Sequence, residues 1–180
     1  MAELSDEEIM LRVKDGYLSE LTELFERYHV KLYNFFLKLT FDQAVSEDLT
    51  QNLFYRIIKY RQSYNFENGS FKSWIYQMAR NIHVDYFKEQ RKITEQIKNI
   101  NHNHHHISGH EEAYREDDFE KLNNALLQLQ PDQREMIVLS RFEGLKYEEI
   151  SKMKDISVPA IKVQIHRAIK HLRNLYFKQT

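Results

Sequence analysis

The stretch Asp155-Ile-Ser-Val-Pro-Ala-Ile-Lys-Val-Gln-Ile-His-Arg-Ala-Ile-Lys-His-Leu-Arg173 decides the fold of this chain. Ser157 is a favoured helix N-cap residue, and Pro159 falls in the first turn, where a missing backbone N–H costs nothing. Ile161, Ile165, Ala168, Ile169, Leu172 and Leu175 recur at helical spacing and form an apolar stripe. Lys162, Arg167, Lys170, Arg173 and Lys178 are cationic, and no acid follows Asp155. A capped, wholly basic helix behind a short turn reads as the second helix of a helix-turn-helix, which enters the DNA major groove. The competing reading of this segment alone is a solvated charged face on a C-terminal helix.

Working outward, Tyr147 to Met153 supplies the short first helix of that motif, and Gly144 ends the helix before it. Pro131 opens that preceding helix, which runs through Ile137, Val138 and Phe142; Leu122, Ala125, Leu126 and Leu129 carry another. Further upstream, Asn101-His-Asn-His-His-His106 and Ser108-Gly109-His110 are polar and aperiodic, as a linker is. The N-terminal half then shows four helical segments. Ser5 and Glu8 make a capping box, with Gly16 as a stop. A second helix follows Leu18, Leu21, Leu24, Phe25, Tyr28, Leu32, Phe35, Phe36 and Leu39; Asp42 caps a third to about Tyr60; a fourth runs from Phe71 to about Lys92. The fold class expected is all-α, two small helical domains joined by a flexible linker: 1–92, 93–115 and 116–180.

Composition narrows the function classes. With 180 residues, four glycines and two prolines, hairpin-rich architectures are disfavoured, and without cysteine there are no disulfides, zinc fingers or thiol catalysis. The acidic N-terminus lacks the basic start and apolar core of a signal peptide, and no apolar run is long enough to span a bilayer, so a cytoplasmic protein without membrane insertion is expected. The net charge of −1 averages opposed patches. Glu111 to Glu120 carries six acids against Arg115, whereas Lys72 to Lys92 carries five cations against Asp85 and Glu89. Such local patches set the field that a nucleic acid meets.

Two surfaces in the N-terminal half stand out. In the third helix Val45, Leu49, Leu53 and Ile57 share one face, while Asp48, Gln51, Asn52 and Tyr55 gather on another, a composition suited to protein contact. In the fourth, Phe71, Trp74, Ile75, Met78 and Ile82 read as core, and Arg80, Val84, Lys88 and Arg91 form a basic stripe able to follow a DNA backbone. Tyr64, Asn65 and Phe66, in the preceding loop Ser63-Tyr-Asn-Phe-Glu-Asn-Gly-Ser70, can stack on or bond to an unpaired base.

Three blocks in order resemble the sigma-70 family of RNA polymerase sigma factors, in its extracytoplasmic-function class. Ser46-Glu-Asp-Leu-Thr-Gln-Asn-Leu-Phe54 is similar to the helix that grips the polymerase clamp. Phe71-Lys-Ser-Trp-Ile-Tyr-Gln-Met-Ala-Arg-Asn-Ile-His-Val-Asp85, with Lys88, Arg91 and Lys92, is similar to the −10-recognition helix. Leu129-Gln-Pro-Asp-Gln-Arg-Glu135, Phe142-Glu-Gly-Leu-Lys-Tyr-Glu-Glu-Ile150 and Lys162 with His166-Arg-Ala168 resemble the −35-binding domain. The resemblance implies region 2 at 1–92 and region 4 at 116–180. It makes Asp48, Gln51, Asn52 and Tyr55 candidates for core polymerase contact, and Asn65, Phe66, Arg80, Asn81, Val84, Lys88 and Arg91 candidates for the −10 element. For the −35 element it gives Ser157, Ala160, Lys162, Val163, Gln164, Arg167 and Lys170. Asp85 matches as well, but an acid facing phosphate is unfavourable, which gives it a structural role.

The implied partners are core RNA polymerase, duplex promoter DNA and the melted −10 strand, with an anti-sigma factor as a further candidate and no catalytic residue, cofactor or metal. The sequence departs from the common family run Gly-Thr-Val-Lys-Ser-Arg: Pro159, Ala160, Val163 and Gln164 replace the Gly, Thr, Ser and Arg, so promoter preference does not carry over. Lys146 stands where a Ser or Thr cap is common. Two other readings are a stand-alone helix-turn-helix regulator with an N-terminal sensing or dimerisation domain, and a metal-dependent enzyme using the nine histidines. The first has no need of the Asp48–Gln51 and Arg80–Asn81 blocks, and the second lacks any ligand motif. The linker histidines 102, 104, 105, 106 and 110 could bind a transition metal as a sensor, but no carboxylate or cysteine completes a defined geometry, and a plain polar tether is the reading expected.

Overall fold

The computed structural model describes residues 4–100 and 117–178. Eight α-helices carry them: α1 Asp6–Lys14, α2 Leu21–Thr40, α3 Gln43–Tyr60, α4 Phe71–Ile100, α5 Asp117–Leu127, α6 Pro131–Ile137, α7 Tyr147–Lys154 and α8 Val158–Lys178. A π-turn, Val138–Phe142, follows α6. Local chemistry explains the starts. The Glu8 N–H donates to Ser5 Oγ at 3.2 Å while Ser5 N–H donates to the Glu8 carboxylate at 2.8 Å, completing the expected capping box. Asp42 Oδ1 accepts from Val45 N–H at 3.0 Å and opens α3. At α4 the first N–H, on Phe71, donates to Glu7 of α1 at 2.9 Å, so the N-terminal helix caps the fourth from outside.

Helix α4 continues to Ile100, eight residues past the expected boundary at Lys92. The segment from Ile93 to Ile100 contains neither glycine nor proline, so nothing stops it. The histidines at 102, 104, 105, 106 and 110 lie outside the described residues.

The first four helices enclose Leu24, Leu32, Phe35, Phe36, Leu53, Ile57, Phe71 and Ile75, all essentially inaccessible. Leu18 and Phe25, read from periodicity as part of that stripe, are exposed instead. Helix α8 buries Ile161, Ile165 and Ala168 and half-buries Ile169, Leu172 and Leu175, as its spacing requires. The two halves also meet. One contiguous apolar core runs from α1–α4 through Met136, Val138, Leu139, Leu145 and Ile150 to Ile161 and Ile165. Leu126, Leu129, Ile137 and Ala168 form a smaller satellite cluster.

Polar contacts reinforce this seam. Arg134 of α6 donates to the Leu39 carbonyl at 3.1 Å and lies 4.7 Å over the Phe41 ring. Phe41 ends α2 in the left-handed region at φ 56°, a conformation that costs a non-glycine residue roughly 1 kcal/mol and is offset here by that stacking. Ser70 Oγ donates to Glu149 of α7 at 2.9 Å. The other Glu149 oxygen accepts from Lys146 N–H at 2.8 Å, which starts α7 without a side-chain cap at Lys146.

Candidate polymerase and nucleic-acid surfaces

Burial of Leu49, Leu53 and Ile57 fixes the rotation of α3, and that rotation leaves Glu47, Asp48, Gln51, Asn52 and Tyr55 outside. Tyr55 is 62% exposed, with Lys59 6.0 Å over its ring. Asn52 Oδ1 accepts from Arg56 Nε at 3.2 Å, and Arg56 lies 3.8 Å from Asp85, so Asp85 ties α4 to α3.

Beside Gln51 lies a groove of about 570 Å³ that the sequence reading missed. Phe25, His29, Val30 and Tyr33 of α2 form one wall; Glu47, Thr50, Gln51 and Phe54 of α3 form the other. Phe25 stacks on His29 at 4.7 Å and meets Phe54 at 4.8 Å. The signal was present: residues 25, 29 and 33 repeat every four positions, giving α2 a second apolar stripe away from its core face.

On α4 the candidate DNA residues divide. Asn81, Lys88 and Arg91 are exposed and Val84 is half-exposed along one side. Arg80 is not free with them: its Nε lies 3.1 Å from the Glu135 carboxylate of α6, with side-chain exposures of 20% and 7%. Glu135 also pairs with Lys154 of α7, which donates to Asp132 at 3.1 Å. One buried carboxylate therefore holds cations from both halves. His83, on the same flank, is mostly buried, and desolvation pulls its imidazole down to about 4. Nearby Glu135 opposes that shift, and Arg134 and Arg80 add to it.

Tyr76 of α4, also missed, is fully buried and donates its hydroxyl to Glu143, just beyond the π-turn. Burial raises the pKa of both groups. In the loop before α4, Tyr64 leaves the set of base-stacking residues. It is fully buried against Trp74 at 5.4 Å and Phe71 at 6.1 Å, and desolvation pushes its phenol up to about 12. Phe66, 57% exposed, and Asn65, whose Oδ1 accepts from Glu67 N–H at 3.0 Å, remain outside.

In the C-terminal half, Asp155 closes α7 in the left-handed region at φ 53°, making the sharp turn into α8. Ser157 Oγ accepts from Ala160 N–H at 3.4 Å. With Ile161 and Ile165 inward, Ser157, Lys162, Val163, Gln164, Arg167 and Lys170 are exposed and Ala160 is half-exposed. These residues form one accessible face at the start of a helix, the geometry by which a helix-turn-helix meets base edges and phosphates. Among the described residues no cluster of histidines and carboxylates is placed to hold a metal, and no helix is long and apolar enough to cross a membrane.

Residues 24–93 match the family model for sigma-70 region 2, and residues 119–172 match that for sigma-70 region 4. The chain is 31% identical over 171 residues to the RNA polymerase sigma factor CarQ of Myxococcus xanthus, covering 92% of this chain and 94% of CarQ. It is 27% identical over 156 residues to the extracytoplasmic-function sigma factor SigM of Bacillus subtilis, covering 87% and 94%. Its fold is similar to that of CnrH in complex with the cytosolic domain of CnrY, at TM-score 0.71 and 18% identity over 97% and 99% of the two chains. It is also similar to the sigma factor RpoE bound to the anti-sigma factor NepR of Bartonella quintana, at TM-score 0.70 and 22% identity over 87% and 96%.

Proposed function

The chain belongs to the sigma-70 family, in its extracytoplasmic-function class, and from that premise we propose how its surfaces divide the work of a promoter-directing subunit of RNA polymerase. Residues 1–92 act as region 2, residues 116–180 as region 4, and 93–115 as the tether between them. Asp48, Gln51, Asn52 and Tyr55 contact core polymerase, and the groove walled by Phe25, Val30 and Phe54 widens that surface with apolar area. An exposed polar cluster around one aromatic, bordering an apolar recess, has the make-up of a protein interface.

Asn81, Val84, Lys88 and Arg91 follow the −10 element, joined by Arg80 once it leaves Glu135. Phe66 and Asn65 receive an unpaired base from the melted strand. At the −35 element Lys162, Arg167 and Lys170 supply phosphate contacts, whereas Gln164 favours adenine and Val163 and Ala160 offer apolar contact to a thymine methyl. The protein makes or breaks no covalent bond itself; it positions polymerase and captures the opened strand. An anti-sigma factor is a proposed partner, supported by the fold shared with RpoE in its complex with the anti-sigma factor NepR.

The observation that carries this reading is the common exposure of the α3 polar face and the α8 basic face on one chain. Run-off transcription with core polymerase on a genomic fragment library tests it. Discrete start sites that require the added chain support it; core polymerase unaffected by the chain refutes it.

A further inference from the structure

A cleft of about 340 Å³ opens at the seam between the halves, and its walls are unusually cationic. Lys31 and Lys38 reach it from α2, Lys72 from α4, and Phe142 and Glu143 from the far half. Lys72 lies 3.9 Å from where a side chain at Gly144 would begin. Among the described residues none of the three lysines forms an ion pair. Lys38 sits 4.9 Å over the Phe142 ring and reaches only the Asn34 carbonyl, at 3.4 Å, while burial lowers its pKa. Lys31 lies 5.4 Å over Tyr28. The single carboxylate in the cleft, Glu143, is engaged by the Tyr76 hydroxyl.

Three ammonium groups therefore share one carboxylate in a recess, and the Glu143 charge offsets only part of the desolvation of half-buried Lys38. The recess lies at the lower end of the roughly 300–1,000 Å³ typical of small-molecule sites and is far too narrow for a duplex. We propose that this cleft binds a small, multiply charged oxyanion of the di- or triphosphate class, held by Lys31, Lys38 and Lys72 with the Asn34 side chain as a further polar group. Because Phe142 and Glu143 belong to the other half, an occupant ties the two halves together. None of Lys31, Asn34, Lys38 and Lys72 belongs to the polymerase or promoter surfaces assigned above.

Inorganic pyrophosphate is the probe. Calorimetric titration of the full chain at constant ionic strength is expected to show saturable binding at one site, with a rise in melting temperature. Lys38→Met and Lys72→Met should each weaken binding by about tenfold or more, since each removes a charge-assisted contact. Lys59→Met, a surface control outside the cleft, should bind as the parent does, and circular dichroism establishes that each variant is folded. Absence of saturable heat overturns the proposal, as does equal affinity in all variants. So does sulfate at the same concentration giving the same stabilisation. If the lysine variants lose promoter DNA while pyrophosphate never binds, the lysines serve nucleic acid and the proposal fails.

Discussion

Arg80 of α4 and Glu135 of α6 form an ion pair at 3.1 Å across the seam between the two halves, and Glu135 simultaneously holds Lys154 of the helix-turn-helix. The guanidinium that resemblance assigns to the −10 element is thus neutralised by an acid of the region 4 half. With its Nε at the Glu135 carboxylate and only 20% of its side chain exposed, Arg80 is a poor phosphate clamp while the seam is closed. Parting of the seam would free it for DNA.

Glu135→Gln should therefore loosen the seam and free Arg80. It leaves Arg80 and Lys154 with no full counter-charge in a largely buried setting, for which a loss of about 3 kcal/mol is expected. In a chain of this size that corresponds to a melting temperature lower by roughly 10 °C. The expected outcome is lower thermal stability combined with tighter binding of single-stranded −10 DNA, read by fluorescence anisotropy. A double-mutant cycle with Arg80→Ala should return a coupling of about 1 kcal/mol or more. Additive effects would mean that the pair is only geometric.

Asp48→Ala combined with Gln51→Ala should weaken capture of core polymerase by about tenfold without unfolding the chain. Both residues are exposed and neither holds a core contact, so their effect on stability should stay within about 0.5 kcal/mol. Co-purification with core enzyme, alongside a melting curve, measures both quantities. Val30→Asp, which places a charge in the neighbouring groove, should act in the same direction. Undiminished capture by all three changes would remove this face from the polymerase interface.

What could be read from the chain beforehand followed periodicity and caps. The Ser5–Glu8 box, the Asp42 cap, the α3 polar face and the α8 stripe are local, and local chemistry determined them. Tyr76, Arg80 and Arg134 were not legible in the same way, because their partners are Glu143, Glu135 and the Leu39 carbonyl, more than 50 residues distant in each case. Tyr64 was misread because its aromatic neighbours Phe71 and Trp74 arrive by a chain reversal that its loop composition does not encode. The π-turn at Val138–Phe142 was also invisible: Glu143 N–H donates to the Val138 carbonyl at 3.0 Å, one residue wider than an α-helix, and Glu143 is buried at the seam.

Lys162→Ala and Arg167→Ala should each reduce transcription from a cognate promoter. Both side chains are exposed within the first three turns of α8 and lack ion pairs among the described residues, so their loss should not disturb the fold. If each neutralises one phosphate, the slope of log affinity against log salt should become shallower by about 0.9 per variant. Filter binding of promoter DNA over a salt series supplies the slope. A weaker complex with an unchanged slope would instead point to base contact at that position.

His83 gives the chain a defined response to acid. Its folded pKa, about 4, lies below the ordinary value of 6.5, so between those limits the unfolded chain takes up a proton that the folded chain refuses. The associated stability is fully present above about pH 6.5 and is lost as pH falls toward 4, a contribution on the order of 3 kcal/mol at about 1.4 kcal/mol per unit. Three charged groups face the ring: Arg134 and Arg80 lower its pKa and Glu135 raises it; Phe87 packs 4.7 Å away. Glu143 acts in the opposite sense, because burial raises its pKa and its contribution is lost as pH rises above the ordinary carboxylate range. Urea unfolding of the parent and of His83→Phe from pH 7.5 to 4.5 separates the two. The parent should lose stability with a slope near one proton below pH 6, and His83→Phe should flatten that limb while leaving the Glu143 contribution in place. An unaltered slope in His83→Phe would assign the acid response to another group.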